Sequence, residues 1–431
     1  MRCTRIAVCT LILGLITVFH ASHTYGQGYG SDLQNVMAPA SGGMAGVSTA
    51  QPQDVPSAIF GNPATLTQFG GTQFTVGGAW IEGYPTISHS ADVPLGPSFD
   101  VTSRTAGFVA PEIGVTQNLN VCDRSVTFGL GLSSLSGLGA EYRGKAPGTI
   151  LNNFSSEYLV LGVTAGLGVQ VNDQLSVGAA VTLGTAFEQL GFVGPIVGSA
   201  MVNEYALRGT VGADYALNDC NTLGVYWQSR MDFEFPNAIT VAGNYQNLQV
   251  DQPNTFGLGW ANRALMNGNL LLAFDVYYKD WQDAALWQDV LVNQWVFAFG
   301  AQYTRRCNKY RIGYSYNTDP INHNVGSSLD GYPILQSQLQ LFQAASAPFV
   351  NQHRLTVGFG RTGFLVPNLD LDVFGGVMFN ATGSFGPDTS TSLALYYLGL
   401  GLTWKFGDGC SRPCDLGAPC CTCCPVSGDG N

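Results

Sequence analysis

Apolar and polar residues alternate with a period of two along many segments of this chain. The alternation is clearest from Leu159 to Val171, where every second residue is apolar and glycine, threonine and glutamine occupy most positions between. Similar alternation is found around residues 294–305, 309–317 and 352–362. A period of two is the signature of a β-strand whose two faces meet different environments.

The alternating segments number about fourteen, an even number such as single-chain bacterial barrels have. Their predicted bounds are 72–81, 104–117, 125–135, 157–171, 174–187, 203–217, 222–234, 253–262, 269–282, 294–305, 309–317, 352–362, 369–380 and 392–406. The predicted connections alternate between short and long, and the long ones are 82–103, 136–156, 188–202, 235–252, 283–293, 318–351 and 381–391. This predicts an all-β fold, a transmembrane antiparallel β-barrel with short periplasmic turns and long outer loops.

The composition favours a membrane barrel over the alternative, a soluble all-β protein. Only 11% of the residues are charged, against about 25% in a typical soluble domain, and the chain contains 55 glycines. After the N-terminus, no segment approaches the roughly 20 apolar residues of a membrane-spanning helix. The net charge of -11 argues against a nucleic-acid partner.

The N-terminal part of the chain lacks strand periodicity. Residues 1–26 read as a signal peptide, with Arg2 and Arg5 ahead of a short apolar core, so Gln27 is expected to begin the mature chain. Residues 27–71 are rich in Gly, Ala, Ser and Pro, and their place ahead of the strands predicts a plug inside the lumen. The barrel is predicted over 72–406 and a Cys-rich periplasmic tail over 407–431.

Several motifs, taken in order, resemble those of the FadL-type family of outer-membrane long-chain fatty acid and hydrocarbon transporters. In chain order they are Gly42–Gly46, Asp54, Ser57–Ala64, Pro253–Gly259, Asp275–Trp281, Trp295–Tyr303, Arg311–Tyr314 and Asn351–Arg354. The resemblance implies a monomeric barrel of fourteen strands, closed by an N-terminal hatch whose motif is Phe60 with Asn62, Pro63 and Ala64. It also implies that substrate leaves sideways into the membrane through a kinked third strand. The Cys-rich tail departs from the family pattern.

The third predicted strand runs into a Ser/Gly-rich stretch from Ser133 to Gly139. Glycines weaken strand pairing and permit a bulge, although an ordinary Gly-rich strand end has the same composition. Together with the resemblance, this stretch predicts a lateral opening. Its candidate residues are Gly129, Gly131, Ser133, Ser134 and Gly137.

A transported acid would need a cation for its carboxylate within an otherwise apolar path. By alternation, the inward-facing basic residues are Arg208, Arg230, Lys279, Arg311, Arg354 and Lys405. The alternative is that they form ion pairs with the inward acids Asp214, Asp275, Asp370 and Asp372. Arg311 and Arg354 are the preferred substrate contacts, because each lies in a motif that resembles the family.

All nine cysteines of the predicted mature chain fall on the predicted periplasmic side. Cys122, Cys220 and Cys307 lie in turns, and the tail carries Cys410, Cys414, Cys420, Cys421, Cys423 and Cys424. An exported protein favours disulfides, so we expect a tail cysteine to bond with one of the turn cysteines. The alternatives are pairing within the tail and a metal held by the tail.

These features predict uptake of hydrophobic compounds, such as long-chain fatty acids, by passive lateral diffusion gated by the hatch. The expected partners are the hydrophobic substrate and outer-membrane lipid, with no cofactor. The sequence does not predict an enzyme, because His89, His323 and His353 are dispersed and nothing marks a nucleophile. The alternatives are a structural or adhesive barrel and a general diffusion porin, and the predicted plug argues against the porin.

Overall fold

The structure is a computed structural model, and it describes residues 35–90, 96–105, 107–122, 124–189, 191, 196–198, 201–241 and 243–407. The predicted signal peptide, the start of the predicted hatch and the tail cysteines lie outside the described residues. No helix among the described residues is long and apolar enough to cross a membrane.

Fourteen antiparallel strands form a closed barrel, which confirms the predicted fold class and strand number. The strands are β1 Thr72–Gly83, β2 Phe108–Val121, β3 Arg124–Glu141, β4 Ser155–Gln170, β5 Leu175–Gln189, β6 Val202–Asn218, β7 Asn221–Gln228, β8 Asn254–Leu265, β9 Leu270–Asp280, β10 Gln294–Arg305, β11 Asn308–Asn317, β12 His353–Arg361, β13 Leu369–Ser384 and β14 Thr389–Phe406. The barrel closes where β1 pairs with β14, in a register that joins Thr72 to Phe406.

The alternation in sequence becomes an alternation between the outside and the inside of the wall. In β10, Trp295, Phe297 and Phe299 are exposed on the outer surface, whereas Val296 and Ala298 are buried. In β4, Val163 points outward and Thr164 is buried within the barrel. An apolar outer band around a small and polar inner face is the pattern of a barrel that faces lipid.

The predicted outer ends of β3, β7, β13 and β14 are wrong. The third strand continues past its predicted end at residue 135 to Glu141. The region 381–391 is not a long loop, because β13 and β14 continue as a hairpin that turns at residues 385–388. The segment 222–234 is not one strand, because β7 ends at Gln228 and Met231–Val241 belongs to a separate sheet. In these last two cases buried apolar side chains, including Phe235 and Phe385, prolong the strand pattern into the loops.

The outer loops fold into an apolar cap over one end of the barrel. Its elements are the short strands Thr86–His89, Phe99–Thr102, Ile196–Gly198, Met231–Val241, Asn244–Gln252, Ser328–Leu329 and Tyr332–Pro333, the 3-10 helices Ile150–Asn153 and Trp281–Asp283, and two α-helices, Trp287–Val290 and Gln336–Ser346. One apolar core joins Phe233, Trp287 and Phe342 of the cap to Val36 and Met37 near the N-terminus.

The N-terminal segment, residues 35–71, is compact and almost entirely buried. It contains the 3-10 helices Ser41–Met44 and Pro63–Gln68 and the α-helix Val55–Phe60. The Asp54 side chain caps that helix by accepting from the Ser57 amide at 3.0 Å, and it also accepts from the Ala40 amide at 2.7 Å. The chain turns at Asn62-Pro63, where Asn62 Oδ1 accepts from the Ala64 amide at 3.1 Å.

Candidate functional site

The N-terminal segment lies directly against glycines of the wall. A Cβ atom added at Gly313 would lie under 3.0 Å from the backbone of Met44, and one at Gly178 would come equally close to the backbone of Pro63. Gly313 belongs to β11 and Gly178 to β5, so the segment contacts widely separated strands. The wall glycines therefore provide the room in which the segment packs.

Asp275 of β9 accepts several hydrogen bonds from the N-terminal segment. Its Oδ2 accepts from the Ser48 amide at 2.8 Å and from the Thr49 amide and hydroxyl, both at 2.9 Å. The Tyr277 hydroxyl donates to the same oxygen at 2.6 Å. The carboxyl group is buried, with 1% of Asp275 exposed. We call this contact the Asp275 anchor.

Residues of the predicted hatch motif form hydrogen bonds within the N-terminal segment and with two other strands, β6 and β7. The Asn62 side-chain amide donates to the Thr49 carbonyl at 2.9 Å and to the Ala213 carbonyl of β6 at 3.0 Å. The Gln228 amide at the end of β7 donates to the Phe60 carbonyl at 2.7 Å. Asn62 thus connects Thr49, which bonds to Asp275, with Ala213 of β6.

The pairing between β2 and β3 stops partway along both strands. Their last ladder pair in the described chain is Glu112 with Ser133, although β3 continues to Glu141. Over that continuation β3 pairs with β4 alone, and the register shifts between Ser134 and Ser136, which makes Leu135 a bulge. The Arg104 amide donates to the Glu141 carbonyl at 2.9 Å and bounds the outer end. We call the interval between these two bonds the β2–β3 gap.

Gly129 and Gly131, predicted as residues of the lateral opening, lie outside the gap. Both residues pair with β2 and with β4 in regular register. A Cβ atom at Gly131 would lie 2.9 Å from a Phe60 ring carbon, and one at Gly129 would lie 2.9 Å from Ile59. These two glycines make room for the N-terminal segment. Gly137 does lie in the gap and pairs with Leu159 of β4.

A cavity of about 50 Å³ lies between the N-terminal segment and the wall beside the gap. Phe60 and Leu135 give it two apolar sides. The full lining is Asn35, Phe60, Glu112, Ser133, Ser134, Leu135, Arg208 and Gln228. The predicted opening residues Ser133 and Ser134 thus share a cavity with Phe60, a residue of the predicted hatch motif, and with Arg208.

A second cavity, of about 360 Å³, lies at the end of the barrel that carries the short turns. It separates Gln53 and Phe69 of the N-terminal segment from the wall, where Lys309, Asp372 and Lys405 line it. Its lining is largely polar and charged. We call it the lower cavity.

Arg311, a predicted substrate contact, forms an ion pair with an inward acid. Its Nη1 lies 2.6 Å from Asp372 Oδ1, and its Nε donates to Gln302 at 2.7 Å. Lys405 pairs similarly with Asp370 at 2.8 Å. These contacts match the alternative in which the inward cations pair with inward acids.

The other predicted cations lie in different surroundings. Arg354 is 1% exposed, and its guanidinium lies 6.0 Å from the centre of the Tyr397 ring. Lys279 is on β9, opposite Thr255 and Gln294. Arg208 of β6 lines the cavity beside the gap.

Arg230 lies in the outer loops and not in the barrel wall, which corrects its predicted position. Its guanidinium contacts Asp232 at 2.5 Å, Asp283 at 3.5 Å and Asp251 at 3.6 Å. Burial raises the pKa of Asp251 to about 6, against the opposing effect of the hydrogen bond from the Ala285 amide. This network joins two outer loops and stabilises the cap.

The three turn cysteines differ in redox state. Cys307 is disulfide-bonded, whereas Cys122 and Cys220 carry thiols. The tail cysteines, with which a bond is predicted, lie outside the described residues. A bond between a tail cysteine and a turn cysteine stays a prediction. Peptide mapping without reduction would test it, because such a bond yields two linked peptides.

Comparison with solved structures shows which architecture the chain has. It is similar to the crystal structure of the P. putida toluene transporter TodX, with a TM-score of 0.62 and 18% identity over 87% of this chain and 99% of that one. The chain has the fold of the FadL-type barrels. It is equally similar to a Pseudomonas aeruginosa FadL homologue, with a TM-score of 0.63 and 16% identity over 89% of this chain and 100% of the homologue.

A third match is the Ralstonia pickettii toluene transporter TbuX, with a TM-score of 0.60 and 16% identity over 88% of this chain and all of TbuX. No family model and no curated protein matches the sequence. Identities of 16–18% show that this chain shares the fold of these barrels.

Proposed function

We propose that the protein takes up hydrophobic compounds across the outer membrane by passive diffusion. In this proposal the N-terminal segment is the hatch that closes the lumen, and the solute leaves through the β2–β3 gap into the lipid. The names of TodX, TbuX and the FadL homologue support transport of hydrophobic compounds.

The gap is the observation that carries the proposal. A strand edge without a partner is costly within a bilayer, because lipid offers no hydrogen bonds to the free backbone groups. Here β3 keeps a long edge without a β2 partner beside a cavity that reaches Phe60 of the segment. Such an edge is expected where the wall must let an apolar molecule pass.

The proposal is tested by uptake into cells that produce or lack the protein. We expect the producing cells to accumulate labelled oleate or labelled toluene faster, because both must otherwise cross the polar outer leaflet. Heat-modifiable mobility on a gel would verify that the barrel is folded. Equal uptake of both probes by the two strains would favour the structural or adhesive alternative.

A further inference from the structure

The outer surface of β14 changes from apolar to hydroxyl-bearing toward the outer end of the barrel. Tyr396 and Leu398 are exposed on the lipid-facing surface, and Ser392 and Ser390 follow on the same side of the strand, closer to the outer loops. Every second residue of a strand shares a face, so these serines continue the lipid-facing side of the wall. A polar surface directly above the apolar band lies at the level of the lipid head groups.

Two short outer strands widen this polar surface. Thr86–His89 pairs with β14, and Phe99–Thr102 pairs with Thr86–His89. One row of cross-strand neighbours therefore runs over four strands and consists of Asp100, Ser88, Ser390 and Ser384. The Ser88 hydroxyl donates to Asp100 Oδ2 at 3.0 Å. We call this surface the outer polar face.

An open cleft of about 590 Å³ lies on the outer polar face. Its volume falls within the roughly 300–1,000 Å³ that small-molecule sites occupy. Besides the row of four, its lining includes Ser90, Ser98 and Asp388. The Ser90 amide donates to the Asp388 carbonyl at 3.0 Å, which fixes the short strands against the turn between β13 and β14. Within the described chain, the lining offers hydroxyls and two carboxylates but no Lys or Arg.

The arrangement of charges decides which class of ligand fits this cleft. Asp100 and Asp388 lie on opposite sides of Thr86–His89, so two strand spacings, about 9–10 Å, separate their backbones. The described residues contain no group of three acidic, His or Cys side chains that could hold a metal ion. The two carboxylates repel anions. A neutral ligand with several hydroxyls matches the cleft best, because carboxylates accept from hydroxyls and serine hydroxyls both donate and accept.

We propose that the outer polar face binds neutral sugar residues of an outer-leaflet glycolipid. This site is separate from the transport route. The sugar hydroxyls donate to Asp100 and Asp388 and exchange hydrogen bonds with the serines between them. A lipid-borne sugar is favoured over a free one, because the face is continuous with lipid-facing Tyr396 and Leu398. The acyl chains can therefore lie against the wall while the sugars reach the cleft.

The test is equilibrium binding of glycolipid to the purified full-length protein in nonionic detergent. The probe is the outer-membrane glycolipid of the bacterium that makes the protein, used either intact or with its outer sugars removed. The intact form should bind about tenfold more tightly, which corresponds to one hydrogen bond to a charged group. The free oligosaccharide released from it should compete for binding.

Variants locate the sugar on the outer polar face. Replacing both acids, Asp100→Ala with Asp388→Ala, should abolish the preference for the intact glycolipid. The matched control is Asp173→Ala with Asp219→Ala, which removes two exposed acids in turns at the opposite end of the barrel and should keep the preference. If the first pair does not fold, Asp100→Asn with Asp388→Asn removes both charges with little change of shape and should also reduce the preference.

Three results would overturn the proposal. Equal binding of intact and trimmed glycolipid would mean that the outer polar face is only a solvated strand end. A preference that persists in the folded Asp100→Ala, Asp388→Ala protein would place the sugars elsewhere. An equal change in the affinity for both glycolipids in that variant would indicate a charge effect on their shared part and not recognition of neutral sugars.

Discussion

Asp275→Ala should raise the single-channel conductance of the protein in planar bilayers severalfold, toward that of a variant lacking residues 27–71. The substitution removes the acceptor of the Ser48 and Thr49 amides and of the Thr49 hydroxyl. Each buried donor left without a partner costs about 1–3 kcal/mol. Water entering the lumen to satisfy these groups would loosen the N-terminal segment from β9 and open an aqueous path.

Two matched variants separate the anchor from general damage. Asp275→Asn keeps an oxygen acceptor and should raise the conductance less than Asp275→Ala does. Asp173→Ala removes an exposed acid in the turn between β4 and β5 and should leave the conductance unchanged. Wild-type conductance in a folded Asp275→Ala protein would show that the anchor does not hold the segment. Wild-type conductance after deletion of residues 27–71 would reject the plug itself.

Deletion of Leu135 should reduce uptake of hydrophobic compounds to the level of cells without the protein. Leu135 is the extra residue at the bulge, and its removal allows Ser136 to follow Ser134 in the regular register with β4. The outer half of β3 can then align with residues 108–111 of β2 and close the gap. Closure is favoured because it satisfies backbone groups that lipid cannot.

The control for this deletion is Leu135→Ala, which removes the side chain and keeps the bulge. It should retain most of the uptake, so that the two variants separate the register of β3 from the packing of Leu135. Both proteins must show the heat-modifiable mobility of a folded barrel. Full uptake by a folded deletion variant would mean that solutes do not leave through the gap.

The number of strands and their inward and outward faces could be predicted because both depend on local alternation. The wall faces lipid and lumen along its whole length, so each strand carries the pattern independently of its neighbours. The ends of β7, β13 and β14 could not be predicted in the same way. There the apolar cap takes the place of lipid as the partner of residues such as Phe235 and Phe385, and the alternation continues beyond the membrane.

To predict which inward charges pair, one must know how strands that are not neighbours are aligned. Arg311 on β11 reaches Asp372 on β13 across β12, at a point where β12 carries Gly360. A Cβ atom at Gly360 would come under 3.0 Å from both partners. Alternation shows that both side chains face inward, but it does not show that a glycine between them permits the pair.

Composition predicts an opening in β3, but two of the candidate glycines, Gly129 and Gly131, lie outside the β2–β3 gap and pack against the N-terminal segment. Ser133 marks the last pair of the ladder, and the bulge itself is Leu135, an apolar residue with no signal of its own in the sequence. From its charge and its inward position, Asp275 is a candidate ion-pair partner for an inward cation. In the structure it accepts from backbone amides of a distant aperiodic segment, and a pattern of strands carries no information about such a contact.

Photo-crosslinking of a diazirine-bearing fatty acid during uptake tests most directly whether solutes leave through the wall. After illumination of cells that produce the protein, digestion and mass spectrometry locate the adducts. The proposed route predicts adducts on residues 134–140 of β3 and on residues 108–111 of β2. Adducts confined to the lower cavity, at Gln53, Phe69 and Lys309, would instead indicate an axial path into the periplasm and contradict the lateral route.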